Sequence, residues 1–191
     1  MGGPGRTAVL WRRLDGVGHD MACLELLPDG AKLHGMAVFQ DEDVPCALRY
    51  RVACDSGWRT TGAKVDGWRG NRSVELLIRR LPDGSWRLND RPCAAVDGCV
   101  DLDLSFTPAT NLLPLRRLRL DPGAASEVRA AWLAWPEASL VVLPQRYRRR
   151  TVDTYAYEAD VPGAGRFAAD LRVDVEGWVL DYGDLWRAEG R

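Results

Sequence analysis

Residues 167–175 read FAADLRVDV. Phe167, Ala169, Leu171, Val173 and Val175 alternate with Ala168, Asp170, Arg172 and Asp174. A period of two puts one set of side chains on each face of a strand, one buried and one solvated. The same alternation recurs at 100–106, where Val100, Leu102, Leu104 and Phe106 face away from Asp101, Asp103 and Ser105. It recurs again at 48–54, with Leu48, Tyr50, Val52 and Cys54 opposite Arg49, Arg51 and Ala53. Further strands are expected over 73–81, 113–120, 139–149 and 178–182. Pro28-Asp29-Gly30, Pro82-Asp83-Gly84, Asp121-Pro122-Gly123 and Val161-Pro162-Gly163 break the runs as turns do. No stretch carries a sustained helical stripe, and 126–135 suits either a short helix or a strand. The expected fold is all-β and antiparallel, with few short helices.

The two halves resemble each other. LELLPDGAKLHGMAVF at 24–39 matches LRLDPGAASEVRAAWLAW at 118–135, and Arg49-Tyr50 matches Arg146-Tyr147. LLIRRLPDGSW, ending at Trp86, matches ADLRVDVEGW, ending at Trp178. The expectation is a single domain over 1–191 with an internal repeat of approximately 20–105 and 113–188. Two β units sharing one core would form a barrel-like or two-sheet shell.

Composition narrows the function. The chain has 191 residues, enough for a substantial core without disulfides. The net charge of −1 argues against a surface built throughout to attract phosphates. Cys23, Cys46, Cys54, Cys93 and Cys99 are an odd number without a C-x-x-C pair, so neither a disulfide framework nor a zinc ribbon is expected. There is no apolar run of membrane-spanning length and no secretory pattern near Met1, which gives a cytoplasmic expectation. His19 and His34 are the only histidines, and no G-x-S-x-G, P-loop or dinucleotide motif is present. No cofactor, no metal and no catalytic residue are expected.

The densest cluster of polar side chains lies at 98–118, GCVDLDLSFTPATNLLPLRRL. Asp101 and Asp103 share a strand face about 6–7 Å apart. They suit an acid/base pair, a cation site or simply a solvated face. Thr107, Thr110 and Asn111 flank Pro108 and suit either a fixed turn or contacts to a polar head group. Arg116 falls on the leucine side of the expected strand, so it needs an anionic partner, and Asp101 or Asp103 is the expected one. Gln145 and Tyr147 on one strand, with Tyr155 on the next, could add a polar and aromatic lining. Arg146, Arg148, Arg149 and Arg150 around Tyr147 could grip RNA or merely protect an edge. Eight tryptophans, Trp58 among them, suit core openings or a cavity for acyl chains and sugar faces.

The 98–118 segment resembles the bacterial "putative glycolipid-binding" protein family, formerly a domain of unknown function. The resemblance continues through YRVACDSGWRT around Trp58, Gln145-Arg146-Tyr147, Tyr155 and VDVEGWVLDYGDLW. It implies a duplicated all-β fold with a concave interior and non-catalytic binding of an amphiphile such as a glycolipid. Asp101, Asp103, Thr107, Thr110, Asn111, Arg116, Gln145, Tyr147, Tyr155 and Trp58 are the candidate ligand contacts. Two other functions stay open: an enzyme on a sugar or lipid intermediate using Asp101 and Asp103, and an RNA-binding module through 146–150. Nucleic acid is not the expected partner, and the sequence leaves the oligomeric state open.

Overall fold

The computed structural model describes residues 6–189. They form one 15-stranded sheet that does not close on itself. The first meander holds β1 (Arg6–Arg13), β2 (Gly18–Leu27), β3 (Gly30–Asp41) and β4 (Val44–Asp55). It continues through β5 (Thr60–Arg69), β6 (Arg72–Arg80), β7 (Trp86–Leu88) and β8 (Arg91–Pro92). A connecting segment follows, with β9 (Asp101–Leu104), a 3₁₀ turn at Ala109–Asn111 and the helix α1 (Leu112–Leu118). The second meander holds β10 (Ala125–Ala134), β11 (Ser139–Arg149), β12 (Thr154–Val161), β13 (Gly165–Val173), β14 (Val179–Tyr182) and β15 (Trp186–Glu189). The strand β15 pairs antiparallel with β1 and joins the meanders, while β9 pairs parallel with β10 at one edge.

One face of this sheet is apolar and the other is solvated. On β3, Ala31, Leu33, Ala37 and Phe39 are buried, while Met36 and Val38 on the other face are about half exposed. An apolar face must be covered. No second sheet supplies the cover, so the sheet bends around the connecting segment, which touches strands of both meanders. Thr60 at the start of β5 donates its N–H to Val100 and accepts from the Leu102 N–H through its hydroxyl. On the other side, Tyr147 of β11 donates to Asn111. Phe106 packs between Tyr50, Phe39 and Trp135, with ring centres 5.9–6.1 Å apart. The seam near β1 is closed by Trp11 and Trp178, edge-on at 5.7 Å. Their indole N–H groups donate to the Val179 carbonyl and the Thr7 hydroxyl.

Two readings of the sequence need correction, and one left open is decided. The 113–120 stretch is helical rather than extended. Leu112, Leu113, Pro114 and Leu115 are all buried, so the helix is enclosed and shows no amphipathic stripe to read. Pro114 lies in the first turn, where its missing N–H costs little. The stretch at 126–135, which the sequence left open between helix and strand, lies on β10 as far as Ala134, between β9 and β11. The Asp121-Pro122-Gly123 turn follows α1 and so joins helix to strand. The turns at 28–30, 82–84 and 161–163 do connect neighbouring strands.

Gly35 shows how closely the sheet fits its contents. It faces Tyr50 across β3 and β4. A methyl group there would sit 2.1 Å from the Tyr50 ring, which has no free space because Tyr50 is fully buried. Gly35→Ala is expected to cost about 1–3 kcal/mol through overpacking. A lowered urea midpoint at unchanged slope would report it.

Candidate functional site

The connecting segment is held by side-chain hydrogen bonds to both meanders. On the first meander, Asp20 of β2 is fully buried. Its carboxylate accepts from the Thr107 hydroxyl and from the Tyr50 hydroxyl, the latter at 2.9 Å. Thr107 also accepts from the Ala109 N–H at 3.0 Å, which shapes the turn into the helix. Among the described residues no cation partners Asp20, so burial pushes its carboxyl up to about 6 against the pull of both hydroxyls and the Met21 N–H. On the second meander, the Tyr147 hydroxyl donates to Asn111 Oδ1 at 2.8 Å. Within the segment, Thr110 Oγ1 accepts from the Leu104 N–H. Arg117 grips Asp101 with both ends of its guanidinium, at 3.0 and 2.6 Å.

Between this segment and the second meander lies a cavity of about 410 Å³. One wall is polar and comes from the segment: Asp103, Ser105, Thr107 and Asn111. The opposite wall is mainly apolar and aromatic. It comprises Trp132, Leu143, Tyr157, Ala159, Val161, Phe167, Tyr182, Leu185 and Trp186, with Asp15 at one side. The volume and the few convergent polar groups are those of a small-ligand site. Asp103 is partly buried on the wall. Gln145 donates its amide to Asp103 Oδ2 at 2.7 Å and to the Tyr157 hydroxyl at 3.0 Å. Burial pushes the Asp103 carboxyl up to about 6; Gln145 pulls it down and the charge of Asp101 adds a smaller rise. Burial also pushes the Tyr147, Tyr157 and Tyr182 phenols up, so each stays a neutral donor.

This geometry can be set beside known proteins. A model of the family described as "Putative glycolipid-binding" matches residues 8–188. The chain belongs to this family. A solved structure of a DUF1089 family protein from Pseudomonas aeruginosa is similar, at 30% identity and a TM-score of 0.74. The match covers 88% of this chain and 91% of that one. Among proteins with curated descriptions, none matches.

In this glycolipid-binding family member the ten candidate residues do not form one surface. Asp103, Thr107 and Asn111 line the cavity. Gln145 and Tyr147 stand behind them and fix Asp103 and Asn111. Thr110 and Asp101 are spent inside the segment. Arg116 and Tyr155 lie on a separate cleft of about 700 Å³ at the C-terminal end of α1. Trp58 lies beneath the Arg116 guanidinium, 5.2 Å from it.

The expected Arg116 pairing is therefore wrong. Arg117 takes Asp101, because a helical turn rotates the neighbouring arginine toward β9 where a strand would have turned it away. The wet-face reading of the two aspartates also fails, since Asp101 is buried and Asp103 is partly so. The supposed acid/base pair loses Asp101 to Arg117. Tyr147, buried as it is, has no face for a nucleic-acid base. Arg149 donates to the carbonyls of Leu120, Thr151 and Val152, and Arg150 pairs with Asp170.

Sequence reasoning missed Asp20, Phe167, Tyr182 and Trp186 as a group. Asp20 carried a signal, since it is in phase with Ala22 and Leu24 on the apolar side of its strand.

Two measurements follow. Arg117→Ala leaves Asp101 buried and unpaired, with an expected cost of about 3–5 kcal/mol. Arg116→Ala is expected to cost about 1 kcal/mol, the loss of one cation–π contact. Equal losses in paired urea titrations would contradict this assignment. The second concerns pH. Asp20 titrates near 6 in the folded chain and near the ordinary carboxylate value when unfolded. Between about pH 4 and pH 6 the folded state holds the extra proton, so stability falls as pH rises; below that window both states are protonated and the penalty is absent. Asp20→Asn is expected to remove a decline on the order of 3 kcal/mol across this window. An unchanged slope of unfolding free energy against pH would refute it.

Proposed function

We propose that the cavity beside 103–111 binds an amphiphile, a glycolipid in the reading that the family name favours. The observation that carries this is the two-sided wall. Asp103 offers a carboxylate oxygen without a partner among the described residues on one side, beside Ser105, Thr107 and Asn111, which protein partners hold in place, while Trp132, Phe167, Tyr182 and Trp186 offer apolar ring surface on the other. Sugar rings have the same division, with hydroxyl edges and C–H faces, and an alkyl chain needs only the apolar side. The polar groups sit on a segment that is hydrogen-bonded at both ends, so they are preorganised. No catalytic step is needed to account for the arrangement.

The test is lipid extraction and mass spectrometry of the purified protein, followed by titration with octyl glucoside read by tryptophan fluorescence. Co-purified amphiphile and saturable binding are expected. Ala159, on the cavity wall, allows the space to be filled from the side opposite the segment. Ala159→Phe is expected to weaken octyl glucoside at least tenfold with the circular dichroism spectrum retained. A protein that carries no amphiphile and gives no saturable titration would overturn the proposal.

A further inference from the structure

We infer that the cavity selects, among amphiphiles, those whose polar end carries an ammonium group, and disfavours phosphate, sulfate and carboxylate ends. The inference rests on the binding reading above and narrows its ligand class. It stands on three observations of the same cavity.

The first is charge. Among the described residues the cavity lining holds Asp103 and Asp15 and no lysine, arginine or histidine, with Arg13 standing over the lining Trp186 ring at 6.0 Å. Asp15 is already neutralised, since Arg13 binds it through two nitrogens at 2.7 and 3.1 Å. That leaves Asp103 as the carboxylate with spare capacity. Its Oδ2 takes the Gln145 amide, and among the described residues no hydrogen bond reaches Oδ1. A partly buried carboxylate with a free oxygen attracts a cation or a hydroxyl donor and repels an anion.

The second is the opposite wall. Tyr157, Phe167 and Tyr182 form a triangle of rings with centres 6.2, 5.7 and 6.0 Å apart. Ring faces carry partial negative charge and favour organic cations, most strongly where water is displaced. A carboxylate and several aromatic rings lining one cavity suit an ammonium group.

The third is the surroundings of Asp103. Asp101 on the same strand is bound by Arg117, so its guanidinium is committed elsewhere. From β11 the neighbours are Gln145 and Tyr147, from β12 Tyr157 and from β14 Tyr182, all neutral at physiological pH. Nothing among these neutralises Asp103 at pH 7. A ligand ammonium would supply the missing counter-charge. The carboxyl, raised to about 6, would lose this attraction as it takes up a proton in mildly acidic solution.

An amino sugar and a simple alkylamine share the chemistry, and a set of probes with one chain length separates them. Octylammonium, octyl glucoside, octyl 2-amino-2-deoxyglucoside and octyl sulfate are titrated below their micelle concentrations at pH 7.5. Octylammonium is expected to bind at least tenfold more tightly than octyl sulfate, and the amino glycoside more tightly than octyl glucoside. The amino glycoside outranking octylammonium identifies a sugar head; the reverse order identifies a plain amine. Asp103→Asn is expected to bring the ammonium and sulfate affinities to within about threefold, and so is a shift to pH 5. Octyl sulfate binding as tightly as octylammonium would overturn the charge selectivity while leaving the amphiphile reading intact, provided octyl glucoside still binds. A preference that survives Asp103→Asn would overturn it too. Failure of all four probes would overturn both readings.

Discussion

A sheet with one apolar face and no second layer must wrap something, and here that something is the chain's own connecting segment. This constraint governs the molecule. Every strand but the short, exposed β8 contributes inward side chains to one core, and the segment from β9 to α1 lies within it. Burying a stretch of loop and short helix is costly, since each of its polar groups needs a partner. The segment meets that need locally and at a distance. Thr107 reaches Asp20 and Tyr50 on one side, Asn111 reaches Tyr147 on the other, and Asp101 is closed by Arg117. Asp20 is the exposed weakness of the scheme. It is a buried carboxylate met by two hydroxyls and the Met21 backbone N–H but by no cation among the described residues, so burial disfavours its charged form.

The wrapping is unequal, and the inequality creates the cavity. The first meander turns Leu24, Leu33, Leu48, Tyr50, Val65 and Ile78 inward, all essentially without solvent contact. These side chains fill their share of the interior. The second meander places Ala159 and the partly buried Ala169 on its inner face and sets aromatic rings around them. Small residues between large ones leave space that the segment does not occupy. Tyr50 and Tyr147, matched in the internal repeat proposed for 20–105 and 113–188, each hydrogen-bond the same segment. A duplication would account for that correspondence.

Much of the strand content could be read from alternation, because most strands have one buried and one solvated face. The reading failed or stayed open where that condition failed. At 113–120 the helix is enclosed, so neither period is imposed on its leucines. At 126–135 the strand is buried on both faces near its end, with Ala130, Ala131, Leu133 and Ala134 all covered, and a two-sided strand carries no alternation. The site was legible only in part. Asp103, Thr107 and Asn111 stand close together in sequence and in space, so local reading reached them. Asp20 and Tyr182 arrive from distant strands, and one sequence offers no way to bring them together. The Arg116 error has the same root, since choosing between adjacent arginines depends on whether the backbone is helical.

The cavity's polar wall gains its chemical character from groups that never touch the cavity. Arg117 pairs with Asp101 and weakens the field of its charge, and Arg13 does the same for Asp15. Gln145 fixes one oxygen of Asp103 and the Tyr157 hydroxyl through a single amide, so a carboxylate on one wall and a ring on the other are held in register. Tyr147 and Pro108 take the Asn111 amide at both ends, which fixes its orientation. Such outer partners convert two aspartates and two amides into a wall with one uncommitted acceptor. Specificity in a site of this kind comes from what is left unpaired, because an unpaired buried oxygen penalises every ligand that cannot meet it.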